Sequence, residues 1–398
     1  MTRKDFLGLS ARALAAATFF AAGSPPPSAT GATPRRGKAR PPADRDGAAP
    51  GSARRGGRPP IRLERRKVEL ALRHTWTIAR NSSAAKTNVL TRLSCGGIEG
   101  LGEAAPNVRY GEDWETVLTG LDLLAPRLGD DPTAYESVID RMHKVLDGNH
   151  AAKAAIDIAL HDWVGRKEKV PLCVKFGADP AKAPLTSMSI GIDEIPAMQE
   201  KVREAADFRI LKIKVGLEND REILEGIRKV TDKPLYVDAN EGWKDPKRAV
   251  EMIKWMEGLG VVLLEQPLPA ADLDGAKYVR DRVDMPIFAD EAVLTVDDIE
   301  PLASAFDGIN VKLQKSGGLR MARLMIDRAR ALKMKVMLGC MIETSIGITA
   351  AAHLSPLVDH ADLDGNLLIA NDPFRGVVVR DGRLVLPDRP GLGVEGSW

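Results

Sequence analysis

Cysteine is scarce in this chain: Cys95, Cys173 and Cys340 are the three among 398 residues, too few and too scattered for a disulfide framework, and none has the spacing of a metal finger. They read as buried thiols. No stretch approaches the roughly 20 uninterrupted apolar residues of a membrane-spanning helix. No G-x-G-x-x-G turn follows a strand-like run, and Ser316-Gly317-Gly318 lacks its spacing, which argues against a dinucleotide-binding domain. Net charge is small too, at +2. What is present, 44% hydrophobic and 28% charged residues, is the balance of an ordinary globular protein and excludes a fibre or a wholly disordered chain. The length admits two or three domains, or one barrel of about 250 residues with an addition.

The small net charge hides an asymmetry. Residues 1–60 carry 11 Lys+Arg against 3 Asp+Glu, and the remainder 46 against 52. Within the basic part, 24–60 is Pro, Gly, Ala, Ser and Arg with almost no large apolar residue, a linker that cannot offset its ordering entropy. Its arginines (Arg35, Arg36, Arg54, Arg55, Arg58) have no interleaved aromatics to stack bases, so no nucleic-acid partner is expected. Residues 1–23 run from Arg3-Lys4 through an apolar stretch, Leu14–Ala22, to small residues, the order of an export signal. This segment resembles a twin-arginine signal with Lys in place of the second Arg. A periplasmic location follows as the expectation, with no membrane partner after export; the alternative is a cytoplasmic protein with a disordered tail.

The folded part begins near Ile61. Alternation over Ile61–Leu72 and Thr87–Leu93 predicts two paired strands, separated by a polar loop, Arg73–Lys86. Helical spacing follows in Asp113–Arg127, Thr133–Leu146 and Ala151–Arg166. This α+β unit spans 61–183. From Pro184 short apolar runs alternate with charged helical ones: Thr186–Ile190, Ile210–Val215, Leu235–Asp238, Val261–Glu265, Ile287–Asp290, Gly308–Leu313, Lys335–Leu338 and Ala361–Asp364. Eight βα units close into a barrel more naturally than they extend as an open sheet.

In such a barrel, chemistry sits where the strands end. Asp238, Glu265 and Asp290 (with Glu291) close three successive strands, so three carboxylates point at one mouth. Their repulsion requires a cation, and hard oxygen ligands on a rigid frame suit Mg2+. Lys212 and Lys214, two apart in one strand, leave on the same side. Lys312 occupies a similar place two strands beyond Glu265, with Lys315 in the following loop. Lysines inside apolar strands are seldom there for packing; on either side of the mouth they supply a base and an acid.

Residues 61–398 resemble the enolase superfamily, muconate-lactonizing subgroup, in the motifs KIK at Lys212, VDANEGW at Val237, EQP at Glu265, ADE at Ala289, NVK at Asn310 and GCMIETSIG at Gly339, which occur in the family's order. The resemblance implies an α/β fold: a (β/α)7β TIM-like barrel at 184–365, an N-terminal α+β capping domain whose hairpin loop covers the mouth, and a segment, 366–398, returning to the cap. It implies one Mg2+ per subunit on Asp238, Glu265 and Asp290, Lys214 and Lys312 as acid/base pair, and Lys212 tuning Lys214. The implied chemistry is removal of a proton α to a carboxylate, an enolate held by the metal, and proton return by the opposite lysine, hence racemisation or epimerisation. Family members often form oligomers, so a homo-oligomer is a possibility.

The last strand chooses among subgroup activities. Asp362 and Asp364 in HADLDGN resemble the Asp-x-Asp with which dipeptide epimerases grip the substrate's α-ammonium; a carboxylate pair has little use for an acylated amine. Arg80 roughly matches the loop arginine that takes the side-chain carboxylate of a C-terminal glutamate in the L-Ala-D/L-Glu branch, and Glu343 in IETS is placed with the substrate-binding groups. The small-molecule partner is therefore a dipeptide, L-Ala-D/L-Glu or related, murein-derived if the enzyme is exported. The alternatives are N-acylamino acid racemase, o-succinylbenzoate synthase and cycloisomerase, and, from another class, a non-catalytic peptide-binding protein, which would need neither Lys214 nor Lys312. The six histidines read as surface or packing residues.

Overall fold

A computed structural model describes residues 60–398; the export signal and, Pro60 apart, the linker expected before it lie outside the described residues. The cap starts as an antiparallel sheet of β1 (Arg62–Ile78), β2 (Asn81–Cys95) and β3 (Ile98–Ala104). Arg73–Lys86, expected as a loop, is instead the far half of the β1–β2 hairpin, turned at Ala79-Arg80. No residue of this stretch is fully buried, so its pairing places no demand for apolar alternation on the sequence. The register shifts between Ala71 and Trp76, and Leu72 pairs instead with Ile369 of the C-terminal segment.

Three helices complete the cap: α1 (Trp114–Leu124), begun by a reciprocal capping box between Asp113 and Thr116, α2 (Tyr135–Val145) and α3 (His150–Glu168). α3 is buried continuously from Ala151 to Gly165 and has no polar stripe because it is enclosed on all sides. Gly102 of β3 lets it approach: a Cβ there would lie 1.9 Å from the Ala155 carbonyl oxygen. Asp157 of α3 accepts from the Leu319 N–H at 2.6 Å, at the start of a barrel helix, Leu319–Ala331.

The barrel strands are β4 (Met188–Ile190), β5 (Leu211–Lys214), β6 (Leu235–Asp238), β7 (Val261–Glu265), β8 (Ile287–Ala289), β9 (Gly308–Lys312), β10 (Lys335–Gly339) and β11 (His360–Asp362), all parallel and adjacent in chain order. A parallel bridge between Thr186 and Ala361, with the Ser187 N–H donating to the Ala361 carbonyl at 3.1 Å, joins the two ends of the sheet. Tyr236, Leu263 and Phe288 lie two residues before Asp238, Glu265 and Asp290; with Met337 they form an apolar cluster of their own. By strand periodicity these side chains share the acids' face, so the polar groups stand on an apolar plug.

Residues 366–398 run back onto the cap: the Arg73 N–H donates to the Leu368 carbonyl at 2.9 Å, and the Trp398 ring lies against the guanidinium groups of Arg66 and Arg92. Two expectations need correction. Cys340, at the end of β10, is only partly buried, unlike Cys95 and Cys173, and Lys315 lies in a short helix, Leu313–Ser316, not a loop. Among the histidines, His161 is buried in α3, while His74 belongs to β1 and pairs with Glu204 at 2.8 Å. Among the described residues no helix is long and apolar enough to cross a membrane.

Candidate active site

The ends of β6, β7 and the β8 turn bring Asp238, Glu265 and Asp290 together, with one oxygen of each within 4.8 Å of the others, all buried. The loops that follow are held in unusual backbone conformations. Asn240, Glu241 and Gln266 all have positive φ (44°, 64° and 35°), each costing on the order of 1–3 kcal/mol. Hydrogen bonds enforce them: Glu241 N–H to the Gln266 carbonyl at 2.9 Å, Asn240 N–H to Asp238 Oδ1 at 2.9 Å, and Gln266 N–H to the Phe288 carbonyl at 2.9 Å. The Gln266 side-chain oxygen in turn accepts from the Asp290 N–H at 3.0 Å and fixes the third acid.

Lysines interleave with these acids. Lys212 Nζ, fully buried, reaches Glu265 Oε2 at 2.8 Å, Asp362 Oδ2 at 2.7 Å and Asp238 Oδ2 at 3.3 Å. Lys214 Nζ lies 2.6 Å from Asp238 Oδ2, and Lys312 Nζ 2.7 Å from Asp290 Oδ2. Lys315 Nζ binds Asp290 from behind, donating to its carbonyl at 2.6 Å. β5 and β9 are the second and sixth of the eight strands, so Lys214 and Lys312 stand on opposite walls. Burial works to lower Lys312, but Asp290 and Glu265 outweigh it and hold it above the ordinary lysine value.

Burial and mutual repulsion weigh unequally on the three acids. Burial, reinforced by Asp238 and Asp290, pushes Glu265 up to about 8, although Lys212 touches it and Asn310 donates to it at 2.9 Å. Burial opposes ionisation at Asp238 too, yet Lys214 and Lys212 hold that group low. Three enclosed, oxygen-only donors that crowd one another within 4.8 Å fit a hard divalent cation.

Asp362 and Asp364 face this centre from β11 and the turn after it. Asp362 Oδ1 accepts from Ser187 Oγ at 2.7 Å, and Asp364 Oδ2 from the Ser189 N–H at 2.6 Å. Burial and the neighbouring Asp362 push Asp364 up to about 6. A cavity of about 310 Å³ opens above, lined by Lys214, Lys312, Asp290, Asp362 and Asp364 together with groups from the cap, including Trp76, Arg80 and Tyr110.

Arg80 lines this cavity, but its guanidinium is engaged: it lies 2.7 Å from Glu291 Oε1, and donates to the Asn240 carbonyl at 2.7 Å and to Glu241 Oε2 at 3.1 Å. Arg109 grips the same Glu241 through two bonds of 2.8 and 2.9 Å. Glu343, expected among the substrate-binding groups, does not line the cavity. It accepts from the Met341 N–H at 2.9 Å and from Gln314 Nε2 at 2.7 Å; burial and nearby Glu103, itself bound to Thr344, push it up to about 8. Its bond to Met341 turns it into the seam between cap and barrel. Glu241, Arg109, Tyr110 and the two serines were not singled out from sequence. Glu241 was visible within VDANEGW, whereas nothing periodic marks Arg109 or Tyr110.

Residues 61–177 match the family described as mandelate racemase / muconate lactonizing enzyme, N-terminal domain, and 197–398 that described as enolase C-terminal domain-like. The chain is 44% identical to the L-Ala-D/L-Glu epimerase of Bacteroides thetaiotaomicron, across 82% of this chain and 85% of that one. The solved substrate complex of the L-Ala-D/L-Glu epimerase from Bacillus subtilis superposes with a TM-score of 0.81 at 33% identity, covering 85% of this chain and 99% of that one. A dipeptide epimerase from Enterococcus faecalis, solved with Mg and L-Leu-L-Tyr, gives 0.79 at 33% identity, with 85% and 99% covered.

Proposed function

The chain belongs to the enolase superfamily as one of its dipeptide epimerases, and from this we propose that it inverts the α-carbon of the C-terminal residue of a dipeptide, L-Ala-D/L-Glu or a related one, by Mg2+-dependent proton transfer between two lysines. The observation that carries this reading is the pair Lys214 and Lys312 on opposite walls of the barrel, each hydrogen-bonded to a member of one carboxylate trio. One Nζ takes the α-proton from one face of the substrate and the other returns a proton to the opposite face, which inverts the centre. Asp238, Glu265 and Asp290 would hold Mg2+, which when bound supplies positive charge against the negative charge that develops on the substrate carboxylate. Lys212 keeps Asp362 and Glu265 in place through its two short bonds. Arg80 and Arg109 pin the hairpin turn and a cap loop to Glu241 at the mouth, which would limit the access of water to the reacting centre.

Asp362 and Asp364 support a substrate with a free α-ammonium. Asp364→Asn is expected to raise KM for an active dipeptide about ten- to hundredfold, the worth of a charged hydrogen bond, with the melting temperature little changed; steady-state kinetics and a thermal melt check both. An unchanged KM would favour an N-acylated substrate. The basic–apolar–small order of residues 1–23 supports export, and with it murein-derived dipeptides as the source of substrate.

The test of the whole reading is deuterium exchange. The protein is incubated with Mg2+ and a dipeptide set in deuterated water, and mass spectrometry follows label at the C-terminal α-carbon. Exchange that stops on chelation and resumes with Mg2+ is the expected result; no exchange into any dipeptide sinks the proposal.

A further inference from the structure

Five cationic side chains line the cavity: Arg80, Lys86, Arg109, Lys214 and Lys312. Four are matched by carboxylates, Arg80 by Glu291 and Glu241, Arg109 by Glu241, Lys214 by Asp238 and Lys312 by Asp290. Lys86 is not: among the described residues no acid forms an ion pair with it. It lies on β2 opposite the fully buried Leu70, two residues before Asn88 and so on the same face. That face turns toward the barrel mouth, for Asn88 Nδ2 donates to the Ile342 carbonyl at 3.0 Å. Lys86 is partly buried, and burial lowers its pKa with no neighbouring carboxylate to offset it. Its ammonium is not sealed off among the buried unpartnered polar atoms, so it stays open to a ligand that brings a negative charge.

The geometry points to Lys86, not Arg80, as the group that takes the anionic side chain of the substrate's C-terminal residue, which makes acidic dipeptides the favoured class. This rests on the epimerase reading above. A dipeptide bound there already has its ammonium assigned to Asp362 and Asp364 and its main-chain carboxylate to the cation at the trio. An acidic side chain brings a third charge, and Lys86 is the cavity cation that has none facing it.

The experiment compares L-Ala-L-Glu with its uncharged isostere L-Ala-L-Gln on the Mg2+-loaded wild type, Lys86→Met and Lys86→Arg. The expected result is that Lys86→Met raises KM for L-Ala-L-Glu about ten- to hundredfold, with kcat within about twofold and L-Ala-L-Gln unaffected. Lys86→Arg restores the preference. Equal losses on both substrates, no change on either, or a wild type that does not prefer the glutamate dipeptide overturns the assignment of Lys86 while leaving the epimerase reading standing. A wild type that exchanges no dipeptide at all overturns both.

Discussion

On the two-lysine mechanism proposed above, Lys312→Ala and Lys214→Ala are each expected to lose epimerisation by about 10³-fold or more, since each removes the proton carrier assigned to one face of the substrate. Both variants fold, because the carboxylates they release have second partners: Asp290 keeps Lys315, and Asp238 keeps Lys212 at 3.3 Å. The informative measurement is stereochemical. In deuterated water each variant retains exchange into one diastereomer of an active dipeptide, and the two variants retain opposite ones, because the surviving lysine still reaches its own face. If both variants exchange the same diastereomer, the lysines do not act from opposite sides, whatever the strand order suggests.

Lys212→Met unfolds far more easily than the wild type, by about 3–5 kcal/mol in the metal-free protein, the range for removing one partner of a buried charge network. Lys212 is fully buried, and its Nζ lies within 3.3 Å of three carboxylates, Asp238, Glu265 and Asp362. Against the burial that would neutralise it, those acids hold its pKa well above the ordinary value. Methionine fills the volume and leaves the charges unanswered. Net stabilities run to about 5–15 kcal/mol, so the urea midpoint should fall steeply. A loss below about 1 kcal/mol would mean that Lys214 and Asn310 suffice for Asp238 and Glu265, making Lys212 a tuning group with no structural share.

The parts of this site that could be read from sequence are those set by strand periodicity. Asp238, Glu265 and Asp290 each close an apolar run, and the barrel converts that one-dimensional position into convergence. Lys212 and Lys214 could be placed on one face for the same reason. The hairpin tip could not, because Arg73–Lys86 is polar, has no fully buried residue and follows a register shift, so it lacks the alternation that marks a strand. Contacts between cap and barrel were equally hidden: Arg109 meets Glu241 across 132 residues of chain. Glu343 lies in a polar motif beside the mouth but does not line the cavity; the Met341 N–H and Gln314 Nε2 hold its buried carboxylate.

The double hold on Glu241 also bears on turnover. Two cap segments distant in sequence, the hairpin turn and the loop before α1, share a single barrel carboxylate, which also accepts from the Ala270 N–H at 2.9 Å. The hold is unequal: Arg109 depends on Glu241 for its carboxylate partner, whereas Arg80 also has Glu291 and the Asn240 carbonyl, so Glu241→Gln is expected to loosen the loop before α1 more than the hairpin turn. If that loop must move for substrate to enter, salt, which screens such part-exposed charged bonds, is expected to change turnover in the wild type and to lose that effect in Glu241→Gln; stopped-flow turnover against ionic strength reads it.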